Sequence, residues 1–391
     1  MMRSIIHSLY LFYQSVRPAA WRHSFFPFIA GLSYLWLFLF AIPPSADSIW
    51  LLVLFFITTS GFAGTGFFIN DFFDITIDAK AGKVNRVSKL SSSKKIILFI
   101  SIITIALLPW VWLPANVFSW VLIGSQFLLF LLYSLPVIRF KDIWYLSGVT
   151  DACYAYVIPL LLSCNTYMLF SGGTLDSGIF LVGASMFFAG FRNILIHQID
   201  DIPNDEKADV ITLPQKIGLK KTTSLLWICF LFETCLYLGF LINNALHHQL
   251  FLTVSILYPL IIGISFFKKF RKQKKPGIII MNRVNDHFYQ IWMPLLCLFF
   301  LITVDIRWSI LFFLHLLFLV PGHVYVSFVV MGKRLTIQSV FLFRRVIGQL
   351  WYIASLVVNN SIYYFLRFFG IDLVKENKSA LEYFKFFFRK K

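Results

Sequence analysis

Long apolar segments recur along the chain at the length that crosses a lipid bilayer. A membrane-spanning helix needs roughly 20 apolar residues, and short polar loops separate the segments. The pattern therefore predicts an all-α polytopic membrane protein with nine spans in its first three quarters. Their approximate bounds are 24–42, 49–69, 96–114, 117–135, 144–164, 178–197, 223–243, 249–267 and 288–304.

The last part of the chain, 305–391, carries a weaker pattern. Residues 308–332 predict one further span, and the apolar but interrupted stretch 346–366 favours an in-plane or re-entrant element. The basic, aromatic tail 375–391 is typical of an amphipathic anchor at the bilayer surface. We therefore divide the chain into a nine-helix domain, 1–304, and a C-terminal extension.

Composition strengthens the membrane interpretation. Hydrophobic residues make up 59% of the chain and charged residues 14%, with a mean hydropathy of +0.77, whereas soluble domains average about 25% charged residues. The net charge of +17 lies mainly in loops. In a membrane protein such charge indicates orientation and contact with anionic lipid headgroups, so we expect membrane lipid and no nucleic acid among the partners.

The loops alternate between basic and uncharged. Lys and Arg are concentrated at 80–95, 139–141, 207–221 and 268–283, while the intervening loops hold none. The positive-inside rule places basic loops in the cytoplasm. We expect a multi-pass protein of the cytoplasmic (inner) membrane with its N-terminus on the inner side.

A first acidic motif follows the second apolar segment. Asn70, Asp71, Asp74 and Asp78 fall within about 100° of one another if the helix continues at 3.6 residues per turn. Crowded carboxylates repel one another unless a cation joins them, and Mg²⁺ prefers oxygen ligands that it often shares with phosphates. The motif therefore predicts a metal–diphosphate site on the predicted cytoplasmic side.

A second acidic motif ends the sixth apolar segment on the same predicted side. It contains Asp200, Asp201 and Asp205. Proline disfavours helical geometry in the residue before it, so Pro203 predicts that the helix ends near Asp201, with Asp205 on a separate turn. Two acidic motifs with matched sidedness indicate a site more strongly than either one alone.

With these motifs the chain resembles the UbiA superfamily of intramembrane prenyltransferases over about residues 10–304. Four motifs occur in the family's order. They are Arg17-Pro18-x-x-Trp21 with Pro27, Asn70-Asp71-x-x-Asp74-x-x-x-Asp78, Tyr133-Ser-Leu-Pro136-x-x-Arg139-x-Lys141, and Asp201-x-x-x-Asp205 followed by Thr212-Leu213-Pro214 and Gly218.

The resemblance implies a helical bundle around a central cavity, with both acidic motifs at its cytoplasmic end. Mg²⁺ would bridge the aspartates and the diphosphate of an isoprenoid donor. The prenyl group would pass to an aromatic or lipid-soluble acceptor as diphosphate is released. Metal ions and basic side chains stabilise charge on such a leaving group, and an apolar pocket keeps the allyl cation from water.

Residue roles follow from the resemblance. The predicted metal ligands are Asn70, Asp74, Asp201 and Asp205, with Asp71 and Asp78 assisting or orienting. The predicted catalytic residues are Asp74, Asp78, Asp201, Asp205 and Lys141. The predicted substrate-binding residues are Arg17, Tyr133, Arg139, Lys83, Arg86, Arg192 and His197.

Some of these residues also have other interpretations. Lys83 and Arg86 serve equally well as topology charges, and Arg192 serves as well in a structural pair with an acidic motif. His197 is either an acceptor-side base or a histidine at a helix end. The glycines at 61, 64 and 66 do not form a phosphate loop and predict close helix packing.

Gln198 is a departure, since the family often has an aspartate three residues before the Asp201 position. It leaves open a degenerate relative that binds lipid without turnover, and a cation-coupled transporter is the other alternative. A phosphotransferase acting on CDP-alcohols is disfavoured because neither acidic motif contains Asp-Gly. The acceptor could be a quinone-ring precursor, a porphyrinoid, a glycerol phosphate or a sugar phosphate, and the prenyl length is open.

Overall fold

Helices make up the regular secondary structure of the described residues. The computed structural model describes residues 15–17, 25–80, 82–174, 177–207, 210–245, 249–270, 281, 284 and 287–319, which all belong to one compact unit, Ser15–Val320. The predicted span 308–332 is described only as far as 319. The predictions for 346–366 and for the tail fall outside the described residues.

Thirteen α-helices are described. They are α1 (Phe25–Leu39), α2 (Ala46–Phe73), α3 (Ile75–Lys80), α4 (Ser92–Leu107), α5 (Val117–Ser134), α6 (Leu146–Ala152), α7 (Ile158–Ser171), α8 (Gly178–Lys207), α9 (Leu213–Ile217), α10 (Leu219–Ala245), α11 (Gln249–Phe270), α12 (Met293–Val304) and α13 (Ser309–Phe318). One π-helical turn, Cys153–Val157, joins α6 to α7, and another, Phe288–Trp292, leads into α12.

The all-α membrane architecture predicted from the sequence is confirmed. Each of the nine predicted segments overlaps a helix. Within the described part of the chain, six helical stretches are long and apolar enough to cross a membrane, while the count of nine spans stays a prediction. The six are Ala46–Phe73, Ser92–Val111, Val117–Ser134, Leu146–Ser171, Gly178–Pro203 and Leu219–Asn244.

Helix α1 forms the centre of the bundle. Every residue from Pro27 to Phe38 is buried, and the helix contacts α7, α12 and the second π-helical turn. A helix that is apolar on all faces must be surrounded by other helices. Its polar groups find partners inside the core, since the Trp36 Nε1 donates to the Ser163 Oγ at 2.9 Å.

The predicted close packing at the three glycines is borne out. A Cβ at Gly61 would lie 2.3 Å from the Ala106 backbone nitrogen, so α2 and α4 are in backbone contact there. Gly64 lies against Ile102 and Gly66 against the Phe130 ring. Thr58 reinforces this crossing, because its hydroxyl donates to the carbonyl oxygen of Ala106.

The start of the C-terminal extension packs on the bundle. His315 of α13 lies 3.3 Å, Nδ1 to hydroxyl, from Tyr34 of α1, and both side chains are buried. Beside this pair is a groove of about 360 Å³. Residues of α1, α2 and α13 line it, and Phe56 of α2 is one of them. Its lining contains no carboxylate, so this groove is separate from the acidic motifs.

The predicted end of the sixth helix near Asp201 is wrong. Helix α8 continues through Pro203 to Lys207. A proline removes a single backbone donor, and packing of the same helix offsets that loss, because Ile196 and Ile199 join Leu213 in a small apolar cluster. Asp201 and Asp205 are therefore four residues apart on one helix face.

Candidate active site

The first acidic motif spans a helix junction. Helix α2 ends at Phe73, Asp74 is its C-terminal cap, and α3 begins at Ile75. The chain stays hydrogen-bonded, since the Asp74 backbone nitrogen donates to the Asn70 carbonyl at 3.0 Å and that of Asp78 to the Asp74 carbonyl at 2.8 Å. The spacing of the motif predicted one uninterrupted helix. The structure instead divides the motif between α2 and α3 at Asp74.

Asp74 meets two cations from the loop after α5. Lys141 Nζ lies 2.5 Å from the Asp74 carboxylate and donates to the Asn70 Oδ1 at 2.9 Å. Arg139 Nη2 donates to the Asp74 Oδ1 at 2.7 Å, and its Nε lies 2.6 Å from the Asp142 Oδ2. The family motif that contains Arg139 and Lys141 therefore contacts the first acidic motif.

The backbone conformation of Arg139 is unusual. Its φ is 41°, in the left-handed region that side chains other than glycine rarely adopt. The residue stands immediately before the 3₁₀ turn Phe140–Asp142, which carries Lys141. Such strain persists where surrounding contacts fix it, and here both Asp74 and Asp142 hold the guanidinium.

The Asp74 carboxylate favours the charged form of the Lys141 ammonium. Burial lowers the pKa of Lys141 below its ordinary value, and the Asp74 carboxylate opposes that shift. A buried lysine without an anion tends to lose its proton. Lys141 thus directs its positive charge toward the oxygens of Asn70 and Asp74.

Asp71 has a different neighbour. Its carboxylate is fully buried, and its Oδ2 lies 3.0 Å from the Nε of Arg17. Arg17 also has a positive φ, 49°. The pair fixes the segment before α1 to the end of α2, which agrees with an orienting role for Asp71.

Sequence reasoning missed Asn85. This buried amide donates from its Nδ2 to the Asp71 carbonyl at 2.7 Å and to the Asp78 Oδ2 at 2.8 Å. It also accepts from the Ser88 backbone nitrogen at 3.0 Å. Asn85 thereby closes the loop after α3 onto the first motif. The only signal was an amide within a basic loop.

The second acidic motif lies beside the same loop. Lys83 Nζ is 3.9 Å from the Asp201 Oδ2, and His197 Nδ1 is 3.9 Å from the same oxygen. Partial burial raises the pKa of Asp205, the Asp201 charge raises it further, and Lys83 and His197 lower it. The loop of the first motif and the second motif therefore lie at the same end of the bundle.

Arg192 is not part of either acidic motif. Its Nε lies 2.8 Å from the Oε2 of Glu233 on α10, and both side chains are buried. The structural interpretation of Arg192 is thus favoured, although its partner is a different acid from those expected. Glu233 was detectable as a lone acid in an apolar segment, because a charge inside a membrane needs a partner.

The remaining predicted residues are placed as follows. Tyr133, at the end of α5, interacts with Ser147 and Tyr154. Gln198 is buried and donates from its Nε2 to the Ser147 Oγ at 3.1 Å. Arg86 opens the 3₁₀ turn Val87–Lys89.

The donor set suits a hard cation, although the carboxylates are not gathered around one point. In the described ranges, no group of three or more His, Cys, Asp or Glu side chains is close enough to hold a metal ion. The motifs instead present amide and carboxylate oxygens, the ligands that Mg²⁺ prefers. Lys141, Arg139 and Lys83 balance their charge.

Solved structures with the same fold exist. A UbiA homologue from Archaeoglobus fulgidus bound to GPP and Mg²⁺ aligns with 75% of this chain and 99% of its own, at 17% identity and a TM-score of 0.52. Its complex with DMAPP and Mg²⁺ gives a TM-score of 0.53. A structure described for digeranylgeranylglyceryl phosphate synthase covers 76% of this chain and 98% of its own, at 17% identity and a TM-score of 0.51.

A relative is also similar in sequence. The lycopene elongase/hydratase of Corynebacterium glutamicum is 24% identical over 233 residues, which are 57% of this chain and 74% of the relative. Fold and motifs together define a polytopic α-helical membrane protein with the architecture of these structures. The UbiA prenyltransferase family matches residues 25–285, and the chain belongs to that family.

Proposed function

We propose that this protein transfers a prenyl group from an isoprenoid diphosphate to a hydrophobic or aromatic acceptor within the membrane, in a Mg²⁺-dependent reaction that releases diphosphate. The main observation that supports this proposal is that Lys141 and Arg139 both contact Asp74, while Lys83 lies 3.9 Å from Asp201. Anionic and cationic groups interleaved at one end of an apolar bundle suit a metal-bound diphosphate.

Each part of this end of the bundle has a task in the proposal. Asn70, Asp74, Asp78, Asp201 and Asp205 would hold Mg²⁺, which supplies positive charge to the diphosphate when bound. Lys141 and Arg139 bind the diphosphate oxygens and stabilise the charge that develops as the carbon–oxygen bond breaks. Arg17 and Asn85 keep Asp71 and Asp78 in place.

The interior below the motifs suits a reactive cation. Phe28 of α1 packs against the Tyr156 and Tyr289 rings at centroid distances of 5.6 and 6.2 Å. Aromatic faces stabilise cations, and an apolar enclosure excludes the water that would capture an allyl cation.

The family and its liganded neighbours support the donor class. The homologue structures contain GPP or DMAPP with Mg²⁺, and the bacterial relative is named for lycopene. A long hydrocarbon acceptor therefore joins the acceptor classes that the sequence leaves open. We propose that the active site faces the cytoplasmic side of the inner membrane, because the loops that carry Lys83, Arg139 and Lys141 lie at that end.

The test is diphosphate release by purified protein in nanodiscs that contain lipid extract of the source organism as the supply of acceptor, with geranyl and geranylgeranyl diphosphate as donors. We expect release that requires Mg²⁺ and falls at least about 100-fold in Asp74→Asn and in Asp205→Asn. Asp305→Asn is the matched control, because Asp305 pairs with Arg307 at the start of the extension.

Other functions give different results. A degenerate lipid-binding relative would bind the donor in the presence of Mg²⁺ without releasing diphosphate. A cation-coupled transporter would release none and would show no such dependence on Asp74. Release that is insensitive to Mg²⁺ or to both substitutions would contradict the proposal.

A further inference from the structure

An acidic side chain lies inside the bundle, apart from the two acidic motifs. Asp151 belongs to α6, within the membrane-spanning stretch Leu146–Ser171. It lies five residues beyond Leu146, so it is about 7–8 Å along the helix from the end that carries the active site. Ionisable groups at such positions are costly and are usually functional.

Asp151 differs from Glu233, another acid that lies inside a span and apart from the two acidic motifs. The Glu233 carboxylate is paired with Arg192 at 2.8 Å. In the described residues, no lysine, arginine or histidine comes within 4 Å of the Asp151 carboxylate, and its hydrogen-bond donor is the Tyr154 hydroxyl, 2.5 Å from the Oδ1.

Asp151 is partly exposed rather than fully covered by neighbouring residues. The next turn of the helix is the π-helical segment Cys153–Val157, and all five of its residues are likewise partly exposed. Single π-helical turns in α-helices are often found at functional sites.

The position of Asp151 is tied to both acidic motifs. Tyr133 interacts with Tyr154 and lies within electrostatic range of both Asp74 and Asp151. On the other side Asp151 is within electrostatic range of His197, one turn before Asp201. Asp151 is thus connected electrostatically to the second motif through His197 and to the first motif through Tyr133, and we expect the reacting end of a bound prenyl chain near it.

Close packing fixes α6 in this position. A Cβ at Gly190 of α8 would lie 2.8 Å from the Ala152 Cα, and one at Gly148 would lie 2.6 Å from the Phe191 ring. Gln198 of α8 also donates to Ser147 of α6. Helix α6 is therefore held against the helix that carries the second motif.

Prenyl transfer from a diphosphate to an acceptor that carries hydrogen also needs a group that takes a proton. The bond between C1 of the prenyl chain and the diphosphate oxygen breaks, and its electron pair leaves with diphosphate. An electron pair of the acceptor then forms the new bond to C1. The acceptor carbon or oxygen that attacked must lose a proton, while the bonding pair stays on the acceptor.

We infer that Asp151 is the catalytic base of the proposed transfer: its Oδ2 takes the proton that the acceptor loses, and the Tyr154 hydroxyl positions it through the Oδ1. This inference rests on the proposed function. It makes Asp151 an acceptor-side residue, distinct in its task from the metal-binding carboxylates.

The test separates donor activation from transfer. Deletion of the gene in the source organism should remove one prenylated lipid, identified by mass spectrometry, and re-expressed variants are scored by its return. General-base catalysis contributes about 10²–10⁴-fold, so Asp151→Asn should restore less than about 1% of that lipid. The purified variant should still release diphosphate from geranylgeranyl diphosphate within about 3-fold of wild type, and its prenyl chain should appear as the alcohol.

Two further variants keep the test decisive if Asp151→Asn folds poorly. Asp151→Glu retains the carboxylate and should recover at least about 10-fold more lipid than Asp151→Asn. Tyr154→Phe removes only the hydrogen bond and should lower transfer about 10-fold without changing diphosphate release. Asp305→Asn should restore the lipid fully.

Several results would overturn the inference. One is full lipid restoration by Asp151→Asn. Another is loss of diphosphate release together with transfer in a correctly inserted Asp151→Asn protein, as in Asp74→Asn. Transfer at the wild-type rate in Tyr154→Phe would also contradict the inference. If the wild-type protein itself releases no diphosphate, then the proposed function fails, and that outcome is distinct from these.

Discussion

At the residue scale, each carboxylate of the first motif has its own polar partner. Asp71 meets Arg17, Asp74 meets Lys141, and Asp78 meets Asn85. Ion pairs that are largely shielded from solvent are costly to break from one side, because the remaining charge is left without compensation. The arrangement therefore holds charged groups at the end of an apolar bundle until a charged ligand replaces some of these contacts.

Lys141→Met tests the task of the best-connected cation. We expect kcat/KM for geranylgeranyl diphosphate to fall about 100-fold, because a charge that would contact the leaving group is lost. Lys141→Arg should lose less, since it keeps the charge but not the compact ammonium that bridges Asn70 and Asp74. The measurement is steady-state diphosphate release in nanodiscs.

Lys220→Met is the matched control for this substitution. Lys220 is an exposed lysine at the start of α10, and its removal should leave kcat/KM within about 2-fold of wild type, since exposed charges contribute little. Equal losses in the two methionine variants would show that net positive charge, rather than the Lys141 contact, is what matters.

At the element scale, the bundle depends on close helix crossings at glycine. The α2–α4 crossing at Gly61 brings two backbones together, so α2 can carry the first motif at a fixed position relative to α4. The π-helical turn Cys153–Val157 acts differently, because all five of its residues are partly exposed inside an otherwise packed helix.

Gly61→Ala tests the first of these features. The added methyl would lie 2.3 Å from the Ala106 nitrogen and 2.5 Å from its Cα, so the two helices must separate. Overpacking of this kind costs about 1–3 kcal/mol. We expect a lower thermal unfolding temperature in detergent, measured by the loss of helical circular dichroism.

Gly124→Ala is the control, since a Cβ at this position of α5 meets nothing within 4 Å. It should unfold at the wild-type temperature or slightly above, because alanine favours helix over glycine. Equal destabilisation by both changes would refute the packing explanation.

Sequence reasoning found what local patterns carry. Apolar length predicted the helices, and the family's motifs predicted that Arg139 and Lys141 belong to the diphosphate site. The continuation of α8 through Pro203 was missed because tertiary packing of Ile196 and Ile199 outweighed a local preference. Asn85 and Glu233 were missed because their importance comes from partners that are distant in sequence or on other helices.

At the scale of the whole molecule, four separate chain segments converge at one end of the bundle. The segment at Arg17, the first motif with its loop, the loop after α5 and the end of α8 all contribute charged groups there. The ion pair between Lys83 and Asp201 connects the loop of the first motif to the second motif at 3.9 Å. The central claim is that both acidic motifs bind the same metal-bound diphosphate.

A double-mutant cycle on ligand binding tests that claim most directly. The affinity of geranyl thiolodiphosphate, a slowly reacting donor analogue, is measured by calorimetry with Mg²⁺ for wild type, Asp74→Asn, Asp205→Asn and the double variant. Groups that share one ligand are coupled by about 0.5–3 kcal/mol, whereas distant independent sites add within about 0.5 kcal/mol. Asp305→Asn combined with Asp74→Asn provides the additive reference. We predict that the double variant loses at least about 1 kcal/mol less than the sum of the two single losses; additive losses, or an Asp205→Asn variant that binds like wild type, would contradict the account.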